Sequence, residues 1–445
     1  MTGSLQELGY RLVNRKFINS VRSNPLIRQI GTVFSGGAIG QVVAILTAPI
    51  ITRIFTPEDF GVFALFLSIA SMVGNNSQLA YQQALVIPRE EENAQDLFLL
   101  CMVFTLVISV LSGGIFWGLN RFGWQFGWVQ KLDTWIYWLP FAIFFIGTNL
   151  TLSNYNNRHQ KYVVLAASNV VVSSVSPCLR IGLGLLYGSS IAILVIAQIV
   201  AFFAQMATLL KSIITHAKLA LKRFPKIDYV RTIFEFRDFP LYSMPNNLFT
   251  SFAVHMPVVI LSTSFSSDIV GFYAIANRLI LRPLLPIQDA VRQVYQRKVA
   301  ENLNCGDPVK SEFVKITLAL ILIGVILFGI LICWGKALFG FLLGAQWAKT
   351  GKIAVLLVPW LYTSFILPPT NAVLIVGRFN KFRLNFQVVA TIIRLASLYY
   401  GLKNFADPIM GLLLFSIVSA LANISLIVLT YMISGTLDNR KLIDA

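Results

Sequence analysis

Long apolar runs recur along the whole chain, and short polar segments separate them. A helix crosses a hydrocarbon core of about 30 Å with roughly 20 apolar residues, which is close to the length of these runs. The pattern therefore predicts about twelve transmembrane helices and leaves no long stretch for a separate soluble domain. The first half contains the segments 30–51, 62–84, 97–119, 134–152, 162–186 and 191–210. The second half contains the segments 244–261, 269–291, 316–334, 353–376, 384–402 and 410–432.

The composition predicts an all-α integral membrane protein. Of the 445 residues, 56% are hydrophobic and 12% are charged, whereas soluble domains carry roughly 25% charged residues. The lysines and arginines that give the net charge of +17 lie mainly in every second segment between the predicted helices, that is, on one side of the membrane. This bias follows the positive-inside rule, predicts cytoplasmic termini and gives no reason to expect nucleic acid. The basic N-terminal arm and central loop are interpreted as topology signals, with binding of anionic lipid headgroups as the alternative.

A short motif occurs twice in the chain. The first copy, TPEDFGVFAL at 56–65, aligns with the second, SSDIVGFYAI at 266–275, when Gly61 is placed on Gly271. The eight tryptophans also fall in two clusters, one in each half, where a belt at the headgroup level is expected. These features predict a parallel repeat of two six-helix bundles with a transport path between them.

The acids Glu58 and Asp59 of the first motif copy are expected to start the second helix rather than to form a catalytic pair, because acids stabilise a helix N-terminus.

The repeat predicts five parts of the chain. The parts are a cytoplasmic N-terminal arm (1–29), a six-helix bundle (30–210), a cytoplasmic linker (211–240), a second six-helix bundle (241–433) and a cytoplasmic tail (434–445).

Residues that commonly carry catalysis are sparse. The three histidines and four cysteines are scattered, without the spacing of a metal site or a catalytic triad. A Gly-rich phosphate loop is also absent from the sequence, which argues against an ATP-driven pump. The sequence therefore predicts that the protein is not an enzyme, and it predicts neither a metal nor a cofactor.

Several arginines lie inside the predicted helices. Each would cost about 2.5 to 3.5 kcal/mol at the centre of a lipid-facing helix, so most are expected to face a wet cavity. The alternative is that some lie near helix ends and snorkel. Acids that could neutralise them are missing from the same helices, apart from Asp289, so an anionic ligand such as a diphosphate or acidic sugar is expected. The predicted ligand-binding arginines are Arg180, Arg278, Arg282 and Arg394.

Uncharged polar residues and prolines complete the predicted transport path. Asn75, Gln78 and Asn246 are candidates to line the cavity, with interhelical hydrogen bonding as the alternative role. Asp289 is the candidate residue for ion coupling. Prolines that would let helices bend beside a lateral gap between the first and eighth helices are Pro49, Pro257, Pro283 and Pro286.

Three stretches carry a resemblance to a known family. They are APIITRIFTPEDFGVFAL, DIVGFYAIANRLILRPL and FGFLLGAQWAKTG. Together with the number and spacing of the helices, they resemble bacterial polysaccharide translocases of the Wzx type. These are flippases for O-antigen or capsule repeat units within the multidrug/oligosaccharidyl-lipid/polysaccharide exporter superfamily.

The resemblance implies a function and a location. The family arranges two bundles as a V around a cationic cavity and moves undecaprenyl-diphosphate-linked oligosaccharide across the bacterial inner membrane for surface polysaccharide synthesis. It also implies coupling to a proton or sodium gradient or to the membrane potential, and partnership with a polysaccharide polymerase and a chain-length regulator. Arg53 and Arg278 match arginines of the family pattern. A deep acid in the first bundle, which drug-exporting relatives use, is not evident, so the coupling ion stays open.

Two other functions are weighed against this one. A membrane-embedded polysaccharide polymerase or transferase would be expected to carry a large exterior loop or an intramembrane His/Asp set, and neither is visible. A multidrug exporter of the same superfamily would bind cationic drugs poorly in a cationic cavity.

Overall fold

The computed structural model describes residues 25–88, 90–121, 126–217, 229–305, 307–405 and 407–444. The predicted basic residues at 1–24 and 218–228 lie outside the described residues, as does most of the predicted N-terminal arm. Over the described ranges the chain is helical and contains no β-strand, which confirms the all-α prediction.

Each predicted apolar segment overlaps a helix or a run of helices. The first half forms α1 (Pro25–Ile54), α2 (Pro57–Gly74), α3 (Glu91–Arg121), α4 (Leu139–Arg158), α5 (Tyr162–Tyr187) and α6 (Ile191–Ala217). The second half forms α7 (Met244–Ser264), α8 (Ser267–Cys305), α9 (Val309–Leu343), α10a (Ala348–Leu356), α10b (Val358–Ile366), α10c (Pro368–Val376), α11 (Asn380–Phe405) and α12 (Pro408–Asp444). Short helices at Gly127–Leu132 and Tyr229–Glu235 precede α4 and α7.

Nine helical stretches of the described chain are long and apolar enough to span a membrane. The first predicted segment contributes a shorter apolar helical stretch, Ile39–Ile54, and the tenth and eleventh are helical but are not among the nine. The tenth is interrupted where Pro359 and Pro368 start new short helices, because proline cannot donate a backbone hydrogen bond and clashes with the preceding turn. The eleventh lies on α11, whose two lysines and two arginines lower the mean hydropathy of that helix.

The second helix ends earlier than predicted, at Gly74 instead of Ala84. Polar side chains cap it there: Ser77 Oγ donates to Gly74 O at 2.8 Å, and Asn76 Nδ2 donates to Met72 O at 2.8 Å. The chain then turns and forms a 3₁₀ helix at Tyr81–Val86. Gln78 therefore lies in a turn after α2 and not in a helix.

The first motif copy starts α2 as predicted. Thr56 is the N-cap, with Oγ1 accepting from Asp59 N at 3.2 Å, and Pro57, Glu58 and Asp59 occupy the first turn. Asp59 Oδ2 also accepts from Ser189 Oγ in the α5–α6 loop. Asp59 therefore joins the start of α2 to the α5–α6 loop.

The helices pack as two bundles. In the first, α1 packs on α5, α5 on α6, and α4 on both α3 and α6; in the second, α12 packs on α11 and α10b, and α8 packs on α10c. The bundles meet mainly where α2 packs against α7 and α8. This contact begins at the two motif copies, which we call the motif end of the molecule.

The aligned glycines of the two motif copies face each other. A Cβ at Gly61 would overlap the carbonyl oxygen of Ser267, and a Cβ at Gly271 would overlap that of Pro57. Either Cβ would also lie 3.1 Å from the backbone nitrogen of the opposite glycine. Because positions 57 and 267 correspond in the repeat, the contact is reciprocal, and only glycine lets α2 and α8 approach this closely.

The sequence predicted a headgroup belt for the tryptophans, but Trp347 does not belong to one. Its side chain is fully buried at the motif end, where Nε1 donates to Thr52 O at 2.6 Å. The ring lies edge-on to Phe60 at 5.5 Å and Phe272 at 5.9 Å between centroids. Both phenylalanines come from the motif copies, so Trp347 seals the contact between them.

The glycine contact predicts the effect of adding one methyl group. Gly61→Ala is expected to destabilise the protein by about 1 to 3 kcal/mol, because the new Cβ overpacks the α2–α8 contact. Gly114→Ala is a matched control, since a Cβ there meets nothing within 4 Å and alanine favours the helix by about 1 kcal/mol. The measurement is the melting temperature of each purified variant in one detergent. Equal melting temperatures would contradict the close approach.

Candidate functional site

Three arginines converge between the two bundles. Arg180 comes from α5, while Arg278 and Arg282 lie one turn apart on the same face of α8. Arg180 is buried with 2% exposure, Arg278 is half-buried and Arg282 is exposed. Arg282 is exposed to the space between the bundles, because its side chain lines two cavities there.

Arg180 is held rigidly. Its Nη2 donates to Gln198 Oε1 at 2.8 Å, and its guanidinium lies 4.5 Å from the ring centroid of Phe63. Ser176 Oγ donates to the same oxygen of Gln198 at 3.1 Å. A cation over an aromatic face is stabilised electrostatically, but this contact and an amide leave the positive charge uncompensated.

The cluster has no acidic partner within the described part of the chain. There, no carboxylate oxygen lies within 4.0 Å of the nitrogens of these guanidinium groups. Arg282 lies close enough to Arg180 and Arg278 for the like charges to repel. Unpaired charges in a medium of low dielectric constant are costly. The arrangement therefore favours a bound anion.

Two adjoining cavities share the arginine cluster. Cavity A extends toward the motif end and reaches Thr52 and Phe60. Cavity B, of about 240 Å³, lies on the other side of the cluster and reaches Ser71 and Gln205. The residues that line both are Ala44, Pro177, Arg278 and Arg282.

A third cavity continues the series. Cavity C has a volume of about 190 Å³ and shares Phe202 and Gln205 with cavity B. Along α2 the cavities follow in order, from Phe60 in A through Ser71 in B to Asn75, which caps the end of α2, in C. The cavities thus follow one another from the motif end toward the opposite end of α2, and the lining of cavity C belongs entirely to the first bundle.

The motif end of this space is closed. Besides the glycine contact, Gln346 Nε2 donates to Thr52 O at 2.6 Å, and Thr52 Oγ1 donates to Leu343 O at 3.1 Å. Lys131 Nζ also donates to Phe265 O, joining the short helix before α4 to the end of α7. Every one of these bonds joins the first bundle to the second.

The structure brings together only part of the predicted set. Arg180, Arg278 and Arg282 form the cluster, and Asn75 lines cavity C. The residues that line none of the three cavities are Arg53, Gln78, Asn246, Asp289 and Arg394. Their binding or coupling roles stay predictions.

Three of these residues have local partners. Arg394 Nη2 donates to Asn423 Oδ1 at 2.6 Å, and Asn423 in turn donates to Thr363 Oγ1 at 3.1 Å, within the second bundle. Gln78 Nε2 donates to Gly147 O at 2.6 Å. Asp289 forms an exposed ion pair with Arg292 at 2.9 Å.

The remaining two lie on separate elements. Arg53 is exposed in the last turn of α1, where its Cγ packs near Gly344. Asn246 lies in the first turn of α7, and its carbonyl oxygen accepts from Thr250 Oγ1 at 2.9 Å.

The four predicted prolines all lie within continuous helices: Pro49 in α1, Pro257 in α7, and Pro283 and Pro286 in α8. Pro283 lines cavity A beside Arg282. Pro177 in α5 was not predicted, yet it lines cavities A and B.

Sequence reasoning missed two glutamines of the site. Gln198 and Gln205 lie seven residues apart on α6, a spacing that places them on one helix face. Two amides at that spacing in the apolar part of α6 are the signal that could have identified them. Gln198 orients Arg180, and Gln205 joins cavities B and C.

Comparisons with known proteins identify the family and support the two-bundle fold. A family model described as "Polysaccharide biosynthesis protein" matches residues 50–352. No curated protein sequence matches the chain. An inward-facing multidrug resistance MATE family transporter of the MOP superfamily has a similar structure, with TM-score 0.63, 15% identity and coverage of 92% of this chain and 95% of that chain. The lipid II flippase MurJ in an inward closed conformation has TM-score 0.62, 16% identity and coverage of 92% and 87%.

The unpaired cluster predicts stabilisation by a diphosphate anion. Inorganic diphosphate is expected to raise the melting temperature of the purified protein, because a ligand that binds only the folded state stabilises it. The rise is on the order of 1 °C for each kcal/mol by which the ligand stabilises the folded state, because the entropy of unfolding grows with chain length. Chloride at equal ionic strength serves as the salt control.

Two variants make this measurement specific. The double variant Arg278→Gln, Arg282→Gln is expected to lose the response, whereas Arg297→Gln should keep it, because Arg297 pairs with Glu301 at an exposed part of α8. A full response in the double variant would exclude the cluster as the anion site.

Proposed function

The chain belongs to the polysaccharide biosynthesis protein family, and from this premise we propose that it flips a lipid-linked oligosaccharide across a membrane. The proposed substrate is an undecaprenyl-diphosphate-linked oligosaccharide repeat unit for O-antigen, capsule or exopolysaccharide synthesis. The proposed location is the bacterial inner membrane, with both termini cytoplasmic.

The family and the fold support the coarser part of this proposal. The family model covers 303 residues from 50 to 352, and the two-bundle fold is that of the MATE transporter and the MurJ flippase. The resemblance to polysaccharide translocases is confirmed at this level. The chain is a multi-pass membrane protein.

One observation carries the choice of substrate: three unpaired arginines line the space between the bundles. Guanidinium groups bind phosphate oxygens with paired, charge-assisted hydrogen bonds. A diphosphate carries several such oxygens and would neutralise the cluster. The same cluster disfavours cationic drugs, so the likeness to a multidrug transporter extends to the fold and not to the proposed substrate.

The closed motif end supports an inward-facing state of the proposed transport cycle. With cytoplasmic termini, α2 runs inward from the exterior, so the motif end faces the exterior and cavity C faces the cytoplasm. We propose that the diphosphate-linked head enters from the cytoplasm and binds Arg278, Arg282 and Arg180. The bundles then rock, the motif end opens, and the head leaves while the lipid tail stays in the bilayer beside α1 and α8. Bending at Pro49, Pro257, Pro283 and Pro286 belongs to the same proposal.

The free energy for this cycle is proposed to come from a proton or sodium gradient or from the membrane potential. Arg53, Arg394, Asn75, Gln78 and Asn246 remain proposed binding residues, and Asp289 remains a proposed coupling residue. A polysaccharide polymerase and a chain-length regulator are the proposed protein partners. On this proposal the protein is a transporter and catalyses no bond change.

Deleting the gene is expected to abolish surface polysaccharide and to accumulate its lipid-linked precursor in the inner leaflet. The wild-type gene should restore the polysaccharide. Arg282→Glu should reduce it at least about tenfold, since replacing attraction by repulsion costs more than 1.4 kcal/mol of binding free energy. The measurements are surface polysaccharide and extracted lipid-linked precursor.

The matched control is Arg297→Glu, which reverses a charge on the same helix away from the cavities and should restore full synthesis. Normal polysaccharide in the deletion strain, with no second flippase present, would overturn the proposed function. Full activity of Arg282→Glu would remove this arginine from it.

Locking the motif end is expected to stop transport. Lys131→Cys and Ser266→Cys place two thiols across the bundle contact, in a background in which Cys101, Cys178, Cys305 and Cys333 are alanine. A short thiol-cleavable bis-methanethiosulfonate should join them and block precursor flipping, and a reducing agent should restore it. Single-cysteine variants treated in the same way are the controls. Undiminished flipping by the cross-linked protein would show that the motif end does not open.

A further inference from the structure

Cavity C differs chemically from the arginine cluster that it adjoins. Its lining contains polar amides and a hydroxyl beside apolar side chains, and no charged residue. The lining residues are Asn75, Ile146, Asn149, Leu150, Ser153, Phe202 and Gln205. The space therefore suits a neutral polar group rather than a second anion.

Asn149 shows where such a group would bind. The residue is 6% exposed, and its Nδ2 donates to Phe202 O at 3.0 Å, which fixes the amide between α4 and α6. Its Oδ1 is buried without a hydrogen-bond partner. An unsatisfied buried acceptor costs about 1 to 3 kcal/mol. A ligand hydroxyl that donates a hydrogen bond to Asn149 Oδ1 would therefore stabilise the site.

The rest of the lining matches a sugar ring. Asn149 and Ser153 lie four residues apart on the same face of α4 and present an amide and a hydroxyl together. Amide and hydroxyl groups both donate and accept, as sugar hydroxyls do. Phe202 adds an aromatic side chain, which can cover the apolar face of a ring.

The position of cavity C places a bound neutral polar group next to an anion bound by the arginines. Phe202 and Gln205 line both cavity B and cavity C, and Arg278 and Arg282 line cavity B. A group covalently attached to a diphosphate held by the arginines would therefore lie next to cavity C. In the proposed substrate the diphosphate carries the lipid on one side and the first sugar on the other, and the uncharged polar lining of cavity C suits the sugar.

We propose that cavity C is a subsite for the neutral sugar directly attached to the diphosphate, with Asn149 and Ser153 as its specificity-determining residues. This proposal rests on the proposed function and adds recognition of the first sugar, a part of the substrate that the arginines do not bind.

The test compares lipids with and without a sugar on the full-length protein in nanodiscs. The probes are undecaprenyl diphosphate and undecaprenyl diphosphate carrying one glucose, galactose or N-acetylglucosamine. Wild-type protein is expected to bind at least one sugar-bearing lipid about tenfold more tightly than the bare lipid, an increment of one or two good hydrogen bonds. Equilibrium dissociation constants are measured by native mass spectrometry.

Three variants separate the subsite from the arginine cluster. Asn149→Leu and Ser153→Ala should each reduce the preference for the sugar-bearing lipid at least about threefold, while the affinity for bare undecaprenyl diphosphate stays unchanged. Asn154→Leu is the matched control, because Asn154 lies on the same helix, donates to Leu150 O and lies outside cavity C. Ser153→Ala keeps the test decisive if Asn149→Leu fails to fold.

The outcomes distinguish this subsite from the proposed function. Equal wild-type affinity for all four lipids would overturn the subsite and leave the proposed function standing, as would variants that keep the wild-type preference. An equal loss of affinity for bare and sugar-bearing lipids would also overturn it, because the residues would then act on the fold. Wild-type protein that binds none of the lipids would overturn both.

Discussion

The architecture depends on keeping three positive charges inside a membrane protein without acidic partners. Burying a charge is unfavourable unless it is compensated, and here α5 and α8 bring Arg180, Arg278 and Arg282 to one place. The first bundle supplies an amide and an aromatic ring to Arg180, and the space between the bundles supplies solvent to Arg282. The two-bundle fold is what provides that space, so fold and charge are linked by one electrostatic constraint.

The contacts that define the space are concentrated at one end. Helices α2 and α8 touch through backbone at Gly61 and Gly271, while Trp347 and Thr52 fill the adjoining gap with a hydrogen bond and aromatic contacts. Away from that end the cavities separate the bundles. A close, well-packed contact beside an open space is the arrangement that a rocking motion requires, because a small rotation there changes access along the whole path.

Much of the fold could be predicted from the sequence, because membrane-spanning helices are encoded by local composition. The pair Arg278 and Arg282 could be predicted for the same reason, since helical spacing alone places them together. Arg394 looked equivalent in sequence, but its partner Asn423 lies on another helix, and no local pattern shows that contact. Trp347 was misassigned because burial depends on which helices meet. The tenth segment broke at its prolines, whereas those in α1, α7 and α8 were accommodated within helices.

The reciprocal glycine contact has a consequence for the independence of the two halves. Gly61 meets the backbone at Ser267, and Gly271 meets it at Pro57, which is the pattern of an isologous interface between identical subunits. One chain thus contains the geometry of a two-fold symmetric dimer, and neither half can cover its own motif. The covalent link between the halves therefore fixes the pairing of one first half with one second half, a pairing that separate subunits would have to achieve by association.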